Sequence, residues 1–205
     1  ASLEKLSSNL NESHHHNINL EDIKFAVQNI INDLLYSEDL LNNVIEIQGY
    51  DEYTYHHSVN TTIIALLMGI ALGWHSGKLL ELGMGVLMHD IGKIKISPEI
   101  LNKRGPLTTE EFEEVKKHAE YGFEILRRNR DINLLSAHVA LQHQERWDGS
   151  GYPRGLKGTE IHEYGRIAAI ADVYEALTSK RVYRQAMQPY EAYEYVIANS
   201  DKLFE

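Results

Sequence analysis

The chain has 205 residues, 43% of them hydrophobic and 24% charged, which suits one globular unit. It has no cysteine, so disulfides and thiolate metal sites are excluded and any metal must be held by nitrogen and oxygen. A net charge of −10 argues against general binding of polymeric nucleic acid, whose affinity comes mostly from neutralised phosphates. No apolar run is long enough for a membrane span, and the N-terminus carries no signal-like segment, so neither a membrane partner nor export is expected and the cytoplasm is the default. The chain does not begin with Met and is expected to be a piece of a longer protein.

Residues 1–18 are polar, with His14, His15 and His16 in a Ser/Asn-rich setting, and are expected to be flexible. From Leu20 to about Ile47, apolar residues recur at helical spacing, which predicts a helical arm or junction over 19–50. Helices are predicted over Thr54 to Leu72 and over Lys78 to His89, the second running into the His89-Asp90 doublet. Ser97-Pro98 and Gly105-Pro106 break the chain, and Lys93 to Ile96 is the one stretch that could pair briefly as a strand. Thr108 followed by Glu110 and Glu111 reads as a helix start, and one helix is predicted from there to Leu126. Asn133 to His143 is a further helix. The stretch from Asp148 to Gly158 holds four glycines and a proline and is a structured loop. Arg166 to Ser179 and Tyr190 to Ala198 complete an all-α chain.

Several polar residues sit in apolar surroundings. His89 and Asp90 offer a nitrogen and an oxygen ligand, and the second oxygen of Asp90 is free to reach another metal. A carboxylate between Met88 and Ile91 is costly to bury unless a cation balances it. Asp172, among Ile167, Ile170, Ala171 and Val173, needs either a metal or an Arg or Lys partner. Lys93 falls three residues after Asp90 and shares its face on a helix. A cation next to a metal implies an anion, and phosphate is the simplest one. Arg181 and Arg184 could grip phosphate oxygens or form a solvated basic face. The segment Glu145 to Pro153 is either a ligand loop or a turn anchored by Trp147.

The motifs fall in a recognisable order. His57-Ser58 is followed by His89-Asp90-Ile91-Gly92-Lys93, then His118 with Gly122. Next come His143 with Asp148-Gly149-Ser150-Gly151-Tyr152-Pro153, Ala171-Asp172-Val173-Tyr174, and Arg181 with Tyr183-Arg184. This order resembles the HD-GYP family, a branch of the HD metal-dependent phosphohydrolases. The resemblance implies an HD-domain helical bundle over 51–205 with an N-terminal helical arm. It also implies a bacterial enzyme that hydrolyses cyclic di-GMP to linear pGpG and on to GMP. By resemblance, His57, His89, Asp90 and Asp172 hold a first divalent metal. Asp90 bridges to a second metal held by His118 and His143. Imidazole with carboxylate suits iron or manganese. Asp90 and Lys93 are the implied catalytic residues, with Lys93 on the scissile phosphate. Gly151 and Tyr152 line the nucleotide pocket, and Arg181 and Arg184 hold phosphate.

The sequence departs from the family pattern at three places. Gln144 stands where a second adjacent histidine is usual, and its neutral amide is a poor ligand, so a weak second metal site is expected. Tyr53 stands where three-metal members carry a glutamate, with Glu52 one residue off, so no third metal is expected. Glu175 stands where an aspartate is usual. The alternatives are an HD phosphohydrolase of another nucleotide and a weak or inactive nucleotide-binding signalling module. A sensory or receiver domain elsewhere in the protein and a homodimer are further implied partners.

Overall fold

A computed structural model describes residues 20–36, 53–180 and 185–205, without the side chains of 53–55. The expected flexible segment, most of the junction beyond residue 36, Glu52, the side chain of Tyr53, and Arg181, Tyr183 and Arg184 lie outside the described residues.

The described residues are helical, and their one β feature is an isolated bridge between Ser200 and Phe204. The helices are α1 (Leu20–Tyr36), α2 (Tyr53–Ala71), α3 (Ser76–Leu87), α4 (Pro98–Leu101), α5 (Thr109–Lys116), α6 (His118–Leu126), α7 (Leu134–Gln142), α8 (Glu163–Thr178) and α9 (Pro189–Ala198). Two short 3-10 helices span Ile91–Lys95 and Gly158–Glu160. Starts are fixed by local chemistry. Thr108 and Glu111 form a reciprocal capping box on α5, and Asn133 caps α7 through the Leu135 amide. Among the described helices none is long and apolar enough to cross a membrane.

The centre of the bundle is α3, apolar on nearly every side, with Leu79, Leu82, Met84, Val86 and Leu87 buried. Around it pack α1, α2 and α7, and α8 closes the far side against α2 and α7. The N-terminal helix lies on this core rather than standing off it. Its residues Ile23, Val27, Ile30 and Ile31 are buried in one cluster with Leu66 and Leu79. Each such side chain contributes about 1.5–3 kcal/mol by leaving water.

Two predicted helices differ from the observed ones, and in both cases packing is the reason. Helix α3 stops at Leu87, and His89 and Asp90 lie in the turn that follows, where the His89 amide bonds to Val86 O. The candidate strand from Lys93 is instead part of the 3-10 helix, closed by Lys93 N to Asp90 O at 2.9 Å. Gly92 explains this path. A Cβ there would sit 1.9 Å from the carbonyl oxygen of His118 and 2.5 Å from the amide of Gly122. Only glycine allows this turn to lie directly on α6, which brings Asp90 to His118. The single helix predicted over 108–126 breaks at Lys117, whose amide turns back to Glu114 O. This bend lets α6 bury His118, Ala119, Gly122 and Leu126, while α5 buries nothing.

Gly92→Ala is therefore expected to destabilise the protein by about 1–3 kcal/mol, as overpacking against backbone does. Urea denaturation checks this; an unchanged midpoint would mean that α6 shifts without cost.

Candidate metal centre

The site is assembled from the second turn of α2 (His57), the turn after α3 (His89, Asp90), the first residue of α6 (His118), the end of α7 (His143) and α8 (Asp172). Elements far apart in sequence thus deliver six ligand-type side chains to one spot. The Asp90 carboxylate is the hub. Its Oδ2 lies 3.4 Å from His89 Nε2 and 3.9 Å from His57 Nε2. Its Oδ1 lies 3.5 Å from His118 Nε2 and 3.8 Å from His143 Nε2. Asp172 Oδ1 is 3.4 Å from His57 Nε2. Lys93 reaches Asp90 Oδ2 at 2.5 Å through the 3-10 turn, the neighbour expected of it by a different local geometry.

The four imidazoles are oriented alike. Nδ1 of His89 lies 2.6 Å from Val86 O, Nδ1 of His118 lies 2.7 Å from Val115 O, and Nδ1 of His143 lies 3.0 Å from Ala140 O. A carbonyl can only accept, so each Nδ1 carries a proton and, in the neutral ring, each Nε2 a lone pair. His57 Nδ1 lies 2.6 Å from Glu175 Oε2, which fixes its ring in the same sense. All four Nε2 atoms therefore face the Asp90 carboxylate. Between His118 and His143 two such atoms are only 3.2 Å apart.

Lone pairs facing one another and a carboxylate need a cation. A proton is a poor candidate at His118 and His143. Burial, first, and then neighbouring cationic groups push both below the ordinary histidine value, His143 strongly. For His57, burial opposes protonation, but the hydrogen bond to Glu175 and the charges of Asp172, Glu175 and Asp90 outweigh it and raise its pKa. Burial likewise opposes ionisation of Asp90, yet His89, Lys93, His143 and His118 hold it well below the usual carboxylate range. Two atoms of the hub, His89 Nε2 and Asp90 Oδ1, are buried with no hydrogen-bond partner. Buried polar atoms left in this way are costly unless an ion engages them. Three groups have ligand atoms within 4.8 Å of one another: His57–His89–Asp90, His89–His143–Asp172 and Asp90–His118–His143. The donor set fits divalent metal, and Nδ1 contacts to carbonyl and carboxylate are the usual support for metal-binding histidine.

Gln144 occupies a different place from the one expected. Its Nε2 donates to Asp172 Oδ2 at 3.3 Å. Asp90, His118 and His143 come within ligand range of one another without it. Glu145 is 1% exposed and turns from the histidines to the glycine-rich loop, accepting from the amides of Arg154 at 2.8 Å and Leu156 at 3.0 Å. Gly151 presses on that same backbone: a Cβ there would lie 2.4 Å from both Arg146 N and Glu145 Cα. The close approach it permits is to the chain itself, and it sets Tyr152 beside the hub. The Tyr152 ring centre is 6.2 Å from that of His118, and burial pushes the phenol up to about 12, so it stays a neutral donor. Trp147 anchors the loop from below, with its amide on Leu203 O and its carbonyl accepting from Gly158.

Glu175 and Glu145 were the residues least legible beforehand. Glu175 had a local signal, since it lies one helical turn after Asp172 on α8. The partners of Glu145 lie nine and eleven residues along a loop, a spacing that marks nothing in the sequence.

Residues 37–205 match the HD domain family. A cyclic di-GMP phosphodiesterase of Thermotoga maritima is 41% identical over 173 residues, covering 82% of this chain and 47% of that protein. A 3′3′-cGAMP-specific phosphodiesterase of Vibrio cholerae is 43% identical over 119 residues, 58% of this chain and 23% of that one. The chain thus spans less than half the length of these two relatives. A solved HDG"Y"P protein of Bdellovibrio bacteriovorus shares the fold, with a TM-score of 0.77 at 21% identity over 100% of this chain and 64% of that one.

Glu145→Ala removes two charge-assisted hydrogen bonds and strands two amides. It is expected to cost about 3–6 kcal/mol, at 1.5–3 kcal/mol for each bond. Chemical denaturation measures this; a loss under 1 kcal/mol would show that the loop holds its shape without the carboxylate.

Proposed function

This chain belongs to the HD-GYP branch of the HD-domain family, and from that premise we propose that it hydrolyses cyclic di-GMP in a bacterial cytoplasm. The linear product is pGpG, with GMP after a second cut. The observation that carries this reading is the convergence of four imidazole Nε2 atoms on the one carboxylate of Asp90. His57, His89, Asp90 and Asp172 would hold one divalent ion, iron or manganese. Asp90, His118 and His143 would hold a second. When bound, such a pair supplies a water made nucleophilic near neutral pH and neutralises charge on a phosphoryl group.

The chain's own residues do the rest. Asp90 would be the carboxylate shared by the two ion sites. Glu175 holds the His57 ring, and Gln144 holds Asp172 through its Oδ2. Lys93, already beside Asp90, carries a half-exposed ammonium that can pass to a non-bridging phosphate oxygen. Tyr152 offers its neutral hydroxyl and ring at the rim. Arg181 and Arg184 are assigned to the phosphates by resemblance alone. Residues 51–205 form the catalytic domain and 19–50 a junction to a sensory or receiver domain in a longer, dimeric protein. The inactive-module alternative turns on Gln144, which here donates to Asp172 Oδ2. The Vibrio relative makes 3′3′-cGAMP the competing substrate.

Incubation of iron- or manganese-loaded protein with each dinucleotide, followed by chromatography, tests this. Cyclic di-GMP is expected to be cleaved faster; preference for 3′3′-cGAMP, or no cleavage of either, would overturn the assignment. Asp90→Ala is expected to lose bound metal and turnover together, as read by elemental analysis and the same assay. Metal retained at parental content would show that Asp90 is not the shared ligand. Glu175→Gln keeps an acceptor for His57 but removes the charge, and metal affinity is expected to fall about tenfold or more. Unchanged affinity in a metal titration would reduce Glu175 to a packing role.

A further inference from the structure

Helix α5 poses a question that the metal centre does not answer. It buries none of its residues. It keeps its shape through the Thr108–Glu111 capping box and the ion pair of Glu111 with Lys103. Its last turn is nevertheless tied to the hub, because Val115 O accepts from His118 Nδ1. On the turn before it stands Phe112, 46% exposed. A single exposed aromatic needs no explanation, but this one is in company. Its ring lies 6.4 Å from that of Tyr152, nearly perpendicular at 81°. Lys116 sits over both, 5.1 Å from the Phe112 centroid and 5.8 Å from that of Tyr152. Lys116 also pairs with Glu113 at 2.5 Å, so its head is held in place from the solvent side.

From the hub outward the rings step from His118 to Tyr152 by 6.2 Å and from Tyr152 to Phe112 by 6.4 Å. That is the order in which phosphate, sugar and base run along a nucleotide. An open aromatic face suits a base of any kind, since stacking is indifferent to the pattern on its edge. A lysine beside that ring is not indifferent. Guanine offers it two acceptors, O6 and N7, where adenine sets an amino donor beside N7.

We propose that Phe112 and Lys116, with Tyr152, form a purine subsite beside the hub, in which Phe112 stacks on the base and Lys116 selects guanine over adenine. The proposal takes its ligand class from the phosphodiesterase reading and adds two residues to it. The corner is fixed before the ligand arrives, because the carbonyl of Val115 joins α5 to the same imidazole that faces Asp90.

The test titrates metal-loaded protein with the bis-phosphorothioate analogues of cyclic di-GMP and cyclic di-AMP, which resist cleavage. The parent, Phe112→Ala and Lys116→Met are compared, with metal content and melting temperature measured on each. The parent is expected to favour the guanine analogue by about tenfold, the scale of one good base-edge contact. Phe112→Ala is expected to weaken both analogues by about tenfold, the scale of one lost stack. Lys116→Met is expected to erase the preference while leaving affinity for the adenine analogue in place. Metal content and melting temperature are expected to match the parent. The subsite is overturned if Phe112→Ala binds as the parent does, if Lys116→Met keeps the preference, if the parent shows none, or if either variant loses metal in step with affinity. A parent that shows these binding signatures yet cleaves no cyclic dinucleotide keeps the subsite and overturns the phosphodiesterase reading. Cleavage of cyclic di-GMP with parental kcat and KM in both variants does the reverse.

Discussion

Everything in this site depends on one nearly buried carboxylate being faced by four imidazole Nε2 atoms. Asp90 is held by no backbone amide at its Oδ1, and the histidines around it have spent their protons elsewhere, on Val86, Val115 and Ala140 carbonyls and on Glu175. Such a cluster is electrostatically unfinished. In water the same groups would be solvated, and in a core they would be replaced by apolar ones. Their retention at nearly full burial makes sense when a cation completes them. The fold supplies the rigidity this requires, because each ligand sits on or next to a helix packed against α3 or α7.

The means by which the helices meet at this point are small-scale and steric. Gly92 lets the turn bearing Asp90 touch the backbone of α6, and Gly151 lets the loop bearing Tyr152 touch the backbone at Glu145. Between them stands Glu145, whose carboxylate takes the loop's amides and has no part in the ion chemistry. A site of this kind is specified as much by where side chains are missing as by where they are present. The same economy governs α5, a helix that buries nothing and is kept at the rim by its cap and by one carbonyl on His118.

Much of this was legible in the sequence. The His89-Asp90 doublet, the lone Asp172 on an apolar helix and the ordered run of motifs point, without coordinates, to the side chains that the fold brings together and to the all-α class. What was not legible follows from long-range packing. The halt of α3 at Leu87 and the 3-10 turn in place of a strand are decided by Gly92 meeting α6, thirty residues further on. The bend at Lys117 serves the burial of His118, which no local propensity foretells. Gln144 looks in sequence like a failed ligand of the second site. In space its amide is satisfied by Asp172, 28 residues away, on the other side of the hub's ligand list. Phe112 and Lys116 read as an ordinary helix surface until Tyr152 is placed beside them.

The central claim is that Asp90 joins two ions into one centre. Electron paramagnetic resonance of the protein titrated with Mn(II) tests it most directly. At two equivalents the account predicts an exchange-coupled pair, with a hyperfine pattern compressed relative to a single ion, and Asp90→Asn should uncouple it. Saturation at one equivalent, or two equivalents that give only the six-line signals of isolated ions, would contradict it.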